Sequence, residues 1–275
     1  MNALTLTLKQ TPAYTINCSG LTPNLLANKS AAEIAGMQLN YGNDLANVGE
    51  LFEITGSDAQ HITFKNASDK LDYIGANMTS GKITVAGNAG AYLGFNLKNG
   101  EIHCQGNTEA FAACNMVSGL LRIDGNTGDF LGAGSEGLRK GMRGGTVIVK
   151  GNAGDRVGDQ MRRGLILIEG NVGDYCGSRM IAGTIGVLGT LGAYTAFNMH
   201  RGTLLLKQLP KLHATIQDCG SHTLPFLSLL FKSLAQYNTQ FSTLNTQRVQ
   251  RFVGDAAYKG NGEVLILEIK DLSLA

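Results

Sequence analysis

The residues best suited to chemistry in this sequence are cations that recur behind a column of methionines. One or two positions after Met142, Met161 and Met199, the chain carries arginine. Together with a lysine just before the first of these, the candidate binding residues are Lys140, Arg143, Arg162, Arg163 and Arg201. Because like charges a few ångströms apart repel each other, this pattern predicts a basic ridge that binds an acidic partner. The alternative is that neighbouring acids neutralise the ridge, namely Asp155, Asp159 and Asp174.

A catalytic or metal-binding set does not follow from the other polar residues. Their spacing contains no H-E-x-x-H motif, no paired carboxylates and no Ser-His-Asp arrangement. The five cysteines include no C-x-x-C pair, which argues against a metal cluster and is typical of reduced thiols in the cytosol. We therefore predict no catalytic residue and no metal ligand in this chain.

One glycine motif could be mistaken for a nucleotide site. Residues 132–137 match G-x-G-x-x-G, but a dinucleotide fingerprint requires a preceding strand and a following helix. Here the glycines lie in an insertion, and the next regular element predicted is a strand. We therefore interpret the motif as part of a loop.

Charge and hydropathy exclude further classes of partner. A net charge of +2 gives no general attraction to nucleic acid or to a membrane surface. No apolar run approaches the roughly 18 to 20 residues that a membrane span needs. Since the N-terminus lacks the charged and apolar segments of a signal peptide, a cytoplasmic location is expected.

The elements that would position the cations recur with a period of about 19 residues, which is typical of a repeat protein. Gly-Asn or a close variant opens each unit, and one step is lengthened by a seven-residue insertion between Gly132 and Met142. Six of the eight methionines share one column. A second column is always glycine: Gly81, Gly100, Gly119, Gly145, Gly164, Gly183 and Gly202. The 37 glycines are accompanied by only 4 prolines, which excludes collagen, and 43% apolar residues exclude disorder.

A short alternating strand is predicted after each column glycine. The second and fourth residues after it are apolar in every unit, so one face points into a core. Stacked asparagines are expected to bond to one another along such a ladder. Several positions on the outward face are apolar too and must be covered by the C-terminal tail or by another subunit: Ile148, Leu165, Leu167 and Leu205.

These features predict an all-β fold, a right-handed β-helix (β-solenoid) of about 19 residues per turn with a small C-terminal cap that contains a helix. We expect N-terminal cap turns over 1–60, the repeat over 61–207, and a helix and strand extension over 208–275. The helix is predicted to begin at Leu224 and to continue through Leu234, and the last strand is predicted to include 264–267.

The repeat resembles the GxxGxxxG family of β-helices. Three units carry the full signature, beginning at Gly87, Gly151 and Gly170, whereas Glu109, Ala113 and Ala196 depart from it. The family includes the C subunit of formylmethanofuran dehydrogenase, the C subunit of the formyltransferase/hydrolase complex of methylotrophs, and the C-terminal module of glutamate synthase. The segment 251–265 is similar to the C-terminal segment of the free-standing C subunits.

The resemblance implies a non-catalytic scaffold subunit of a one-carbon enzyme complex. That complex would move a formyl group from formyl-tetrahydromethanopterin to a methanofuran-type carrier and hydrolyse it to formate. The implied partners are a formyltransferase subunit, an amidohydrolase-like subunit and the B subunit of the complex. The carrier's acidic, polyglutamate-type tail would be a ligand for the basic ridge.

Other assignments remain open from the sequence. The chain could be the C subunit of a molybdenum or tungsten formylmethanofuran dehydrogenase, or a glutamate-synthase-type β-helix module. It could also hold an active site of its own in the groove of the solenoid.

Overall fold

A computed structural model describes residues 2–268, and within them it contains seventeen strands and four α-helices. The N-terminal part contains β1 (Ala3–Leu8), β2 (Ile16–Asn17), α1 (Pro23–Leu26), α2 (Ala31–Ala35), β3 (Gln38–Tyr41), β4 (Asp44–Asn47), α3 (Val48–Leu51) and β5 (Phe52–Thr55). The middle part contains β6 (Asp58–Ala67), β7 (Leu71–Asp72), β8 (Lys82–Gly87), β9 (Glu101–Cys104), β10 (Leu120–Ile123), β11 (Arg143–Val149), β12 (Arg163–Ile168), β13 (Thr184–Val187) and β14 (Arg201–Leu206). The C-terminal part contains β15 (Gln217–Thr223), α4 (Phe226–Leu234), β16 (Arg248–Gly254) and β17 (Asn261–Leu267).

The repeat sets the register of the main sheet. Strands β8 to β14 pair in parallel in chain order, and Leu121 lies beside Ile102 on one side and Val147 on the other. The first of these pairs is separated by one regular step of the sequence repeat, and the second by the step that contains the insertion. The prediction of a mainly β chain with a small C-terminal helix is confirmed, while α1 to α3 in the N-terminal part were not predicted.

A second parallel ladder runs beside the sheet. Single bridges connect Ala89, Thr108, Thr127, Ala153, Val172 and Leu191 in that order, each one repeat from the next. The apolar strand positions and the column methionines share one hydrophobic core with Ala89, Ala153 and Val172 of this ladder, and Met116, Met142 and Met161 are fully buried.

The column glycines are required by the close approach of consecutive units. Gly164 has a φ of +106°, which side chains rarely adopt. A Cβ at this position would lie 2.8 Å from the Cε of Met142 and 2.9 Å from the carbonyl oxygen of Gly145. The methionines of one unit therefore pack directly against the column glycines of the next unit.

The asparagines connect the units mainly through the backbone. The side-chain Oδ1 of Asn107 accepts a hydrogen bond of 2.7 Å from the backbone N–H of Asn126, and that of Asn152 accepts one of 2.8 Å from Asn171. A bond between two side-chain amides, as expected from the sequence, occurs between Asn96 and Asn77.

The C-terminal part extends the sheet and covers its outer face. Strand β17 pairs in parallel with β14, and β16 and β15 continue the sheet in antiparallel fashion. Helix α4 and the segment after it pack on the apolar outward positions through Leu227, Phe231, Leu234 and Phe241. The tail therefore covers Ile148, Leu167 and Leu205, each almost fully buried. Residues 269–275 of the predicted extension lie outside the described residues.

Candidate binding groove

Four of the five predicted site residues line one groove of about 710 Å³. Three of them begin strands of the main sheet: Arg143 in β11, Arg163 in β12 and Arg201 in β14. Because these strands run parallel, all three arginines lie at the same end of the strands. Arg143 and Arg163 are direct register partners. The remaining lining residues are Arg162, Ile181, Ala182, His200, Tyr258, Lys259 and Asn261. Lys140 is exposed in the insertion and is not part of the lining.

The tail supplies part of this groove, which sequence analysis missed. Asn261 is the register partner of Arg201 because β17 pairs with β14, and it brings Tyr258 and Lys259 with it. The rings of Tyr258 and His200 lie 5.1 Å apart. The repeat gives no signal for these tail residues, since they lie well beyond its last unit.

The groove cations have no acidic counterpart in the part of the chain that the structure describes. No acidic residue lines the groove, and no ion pair found over residues 2–268 includes a groove cation. Asp159 pairs instead with Arg179, which raises the pKa of that guanidinium. Asp155 and Asp174 each accept a backbone N–H of the following unit. The acids that the sequence offered as neutralising groups are therefore engaged elsewhere.

The groove arginines differ in how many of their N–H donors already have a hydrogen-bond partner. Arg143 donates to the Oδ1 of Asn96 at 3.0 Å, and Arg162 donates through Nη2 to the carbonyl oxygen of Arg139 at 3.3 Å. The Nε of Arg162 is buried and has no partner among the described residues. Arg163 and Arg201 are exposed. Guanidinium groups that are exposed or have donors without partners are suited to bidentate hydrogen bonds with carboxylates.

The buried cysteines are not suited to nucleophilic chemistry. Burial raises the pKa of Cys104 to about 11 and that of Cys176 to about 12, so both thiols are protonated at neutral pH. Within residues 2–268, no three His, Cys, Asp or Glu side chains converge to hold a metal ion. The G-x-G-x-x-G segment leads into strand β11 and not into a helix.

No helix of the described residues combines the length and the apolar character needed to cross a bilayer.

Comparison with known proteins gives both partial and full-length matches. The C subunit of a tungsten-containing formylmethanofuran dehydrogenase 2 from Methanococcus maripaludis is 38% identical over 92 residues, which are 33% of this chain and 34% of that protein. Its counterpart from Methanothermobacter marburgensis is 35% identical over 93 residues, with 32% and 34% covered. The chain thus aligns with about a third of the length of these curated relatives.

The full-length match is to a chain in the crystal structure of the formyltransferase/hydrolase complex (FhcABCD) from Methylorubrum extorquens in complex with methylofuran. The TM-score is 0.90 at 33% identity, over 95% of this chain and 98% of that one. The chain belongs to the family of formylmethanofuran dehydrogenase C subunits. No family model matches this member of the C-subunit family. The family resemblance inferred from the glycine repeat is confirmed, and the likeness extends beyond the repeat to the C-terminal part.

Proposed function

We propose that this member of the C-subunit family is the scaffold subunit of a cytoplasmic formyltransferase/hydrolase complex. The complex would move a formyl group from formyl-tetrahydromethanopterin to a methanofuran-type carrier and hydrolyse it to formate. The observation that carries this proposal is the match to a chain of such a complex over 95% of the residues. Its partners would be a formyltransferase subunit, an amidohydrolase-like subunit and the B subunit of the complex.

We further propose that the stacked units form a right-handed β-helix of about 19 residues per turn. Two parallel ladders, the side-chain-to-backbone bonds of the asparagines and the buried methionine column support this architecture. Each unit is fixed to its neighbours by backbone hydrogen bonds on more than one side, which favours a rigid body. A rigid body is what a mounting surface for catalytic subunits requires.

The groove adds a role in holding the carrier. Its cations are Arg143, Arg162, Arg163 and Arg201, with Lys259 supplied by the tail, and no carboxylate of residues 2–268 lines it. An acidic, polyglutamate-type carrier tail would supply the missing negative charge. No catalytic step is assigned to this chain.

A second candidate is the C subunit of a tungsten-containing formylmethanofuran dehydrogenase. It is favoured by the 38% identity with such a protein from Methanococcus maripaludis. The two candidates differ in the partners that they require.

Purification of the tagged chain at native abundance separates these functions. The first proposal predicts that formyltransferase and amidohydrolase-like subunits co-purify, and that the isolated chain performs neither formyl transfer nor hydrolysis. A tungsten-containing partner would favour the second candidate, and activity of the isolated chain would contradict both.

Charge reversal tests the carrier role within the purified complex. R163E and R201E should lower carrier retention and formate output while the complex still assembles, whereas reversal of the exposed Lys65, outside the groove, should change neither. Unchanged carrier retention in both arginine variants would remove the carrier role and leave the scaffold role standing.

A further inference from the structure

Aromatic side chains stack on one another along the repeat, outside the basic groove. Consecutive rings lie face to face, with centroids 4.6 Å apart for Tyr73 and Tyr92 and 4.7 Å apart for Phe111 and Phe130. A few further rings meet this column edge-on, such as Phe95 against Tyr92. Together these residues form what we call the aromatic stripe: Tyr73, Tyr92, Phe95, Phe111, Phe130, Tyr175, Tyr194 and Phe197.

The aromatic stripe is partly open to solvent over its whole length. Every one of its rings is at least partly exposed, and Tyr194 and Phe197 are the most exposed, at 48% and 38%. Since stacking covers the faces of the column rings, their edges and the tyrosine hydroxyls remain available for contact. A contiguous exposed aromatic surface of this kind is typical of a protein interface.

The chain covers one end of the stripe with its own tail. The imidazole of His213, in the segment between β14 and β15, lies 5.7 Å from the ring of Tyr194 and 5.5 Å from that of Phe197. The apolar cluster around α4 packs on the sheet and includes no ring of the stripe. Over the part of the chain that the structure describes, the rings from Tyr73 to Phe130 are therefore left for a partner.

A row of carboxylates borders the stripe and indicates the charge of that partner. Asp129, Asp155 and Asp174 each directly precede a member of the column. Each accepts a backbone N–H of the next unit through Oδ1 at 2.7 Å, and no ion pair found over residues 2–268 includes any of the three. Because consecutive units lie roughly 4.8 Å apart, these like charges repel one another. Cations of a partner would relieve the repulsion, whereas an anionic lipid surface or a nucleic acid would increase it.

We infer that the aromatic stripe is the docking surface for a partner subunit that presents apolar side chains bordered by arginine or lysine. The apolar side chains pack on the ring edges, and the cations pair with the row of carboxylates. Arg156 shows that a guanidinium fits this surface, since it lies between the rings of Phe130 and Tyr175. The inference rests on the proposed scaffold function and specifies the surface on which a subunit is mounted.

Hydroxyl-radical footprinting tests whether a partner covers the stripe. The experiment compares the purified complex with the full-length chain alone at the same radical dose. Oxidation of Tyr92, Phe111 and Phe130 should be slower in the complex, because a docked subunit excludes water from the ring edges. Tyr14 is 63% exposed and lies in the N-terminal part, so it should be oxidised at the same rate in both samples. Equal rates for the three stripe rings in both samples would overturn the inference.

The double variant D129N/D155N tests the charge of the partner. Asparagine keeps the Oδ1 that accepts the backbone N–H, as Asn107 does in a neighbouring column, so the bond between units is retained. On dilution, the variant complex should dissociate at a concentration at least about tenfold higher than the wild type, because the partner's cations lose their counterparts. D44N/E53Q removes the same charge at exposed positions outside the stripe and should dissociate like the wild type. Analytical ultracentrifugation of a dilution series measures both. Unchanged dissociation of D129N/D155N, or an equal change in D44N/E53Q, would overturn the inferred partner chemistry.

The outcomes distinguish this inference from the proposed function. An unprotected stripe in a complex that contains formyltransferase and amidohydrolase-like subunits would overturn the docking surface and leave the scaffold role standing. A protected stripe in a complex with a tungsten-containing partner would uphold the docking surface and contradict the first proposed function.

Discussion

The guanidinium carbon of Arg156 lies 4.5 Å from the centre of the Tyr175 ring. On its other side lies the ring of Phe130, at 5.9 Å. Both rings belong to a column that is stacked on either side of this arginine, with Phe111 on Phe130 at 4.7 Å and Tyr194 on Tyr175 at 4.8 Å. Arg156 therefore occupies the position of a ring in the column.

Replacement of Arg156 tests whether stacking on its neighbours explains why an arginine stands in this column of aromatic residues. Arg156→Ala should lower the free energy of unfolding by about 1 kcal/mol, because a cation–π contact at a partly exposed site is lost. Arg156→Phe should be as stable as the wild type, since Phe111 and Phe130 adopt the same positive φ of 63° in this column. Equilibrium urea denaturation measures both, and equal stability of the alanine variant would contradict the stacking role.

Gly164 should tolerate no larger side chain. Its φ of +106° strains any substituent, and a Cβ would lie 2.8 Å from the Cε of Met142 and 2.9 Å from the carbonyl oxygen of Gly145. Gly164→Val should destabilise the protein by about 3 kcal/mol or more, since strain and overpacking add. Thermal and urea unfolding measure the loss.

Gly137 provides the matched control for Gly164. It also has a positive φ, +76°, but no atom lies within 4 Å of the position of a Cβ. Gly137→Val should therefore cost only the backbone strain, about 1 to 2 kcal/mol. If both glycine variants lost the same stability, contact between the units would not be the cause.

The 19-residue repeat predicts those parts of the fold that are periodic. A parallel ladder places residues one repeat apart side by side, so inward strand positions such as Val147 and Ile166 could be predicted as neighbours in space. The N-terminal helices escaped prediction because they lie outside the repeat. One of them, α2, begins with a capping box in which Ser30 and Glu33 bond reciprocally, a local signal that was present in the sequence.

The groove was predicted in part for the same reason. Arg162 lies one repeat after Arg143, and Arg201 lies two repeats after Arg163, so these cations were expected to lie together, as they do. Lys259 and Asn261 depend on the pairing of β17 with β14, a contact between distant parts of the chain that no local pattern encodes. Lys140 was grouped with the ridge by its position in the sequence, but the insertion holds it outside the lining.

The cysteines should differ sharply in reactivity. Burial raises the pKa of Cys104 to about 11 and those of Cys114 and Cys176 to about 12, and it also raises the pKa of Cys18. At pH 8, below all these values, the four thiols remain protonated and shielded, and the thiolate is the reactive form. Cys219 is exposed.

Titration with a disulfide reagent at pH 8 should therefore modify one thiol per native chain. All five should react in urea, and Cys219→Ser should remove the rapid phase in the native protein. Rapid modification of a second thiol in the native state would show that the core is more accessible than its burial indicates.

Phe241 should hold the tail on the sheet. Its ring lies fully buried against Gly186, where a Cβ would be only 2.7 Å from the ring atom Cε1. At the same outward position the neighbouring units carry Leu167 and Leu205, so the glycine leaves the space that the ring fills. Phe241→Ala should cost about 3 to 5 kcal/mol, as expected for a fully buried ring.

The loss should be confined to the tail at first, because the parallel ladders do not depend on this contact. Limited proteolysis should cut Phe241→Ala between α4 and β16 under conditions that leave the wild type intact. Leu229 is the control: it lies on α4 but is 70% exposed, so Leu229→Ala should change neither stability nor cleavage by a measurable amount. If Phe241→Ala resisted proteolysis like the wild type, the tail would be held by the pairing of β17 with β14 and not by the ring.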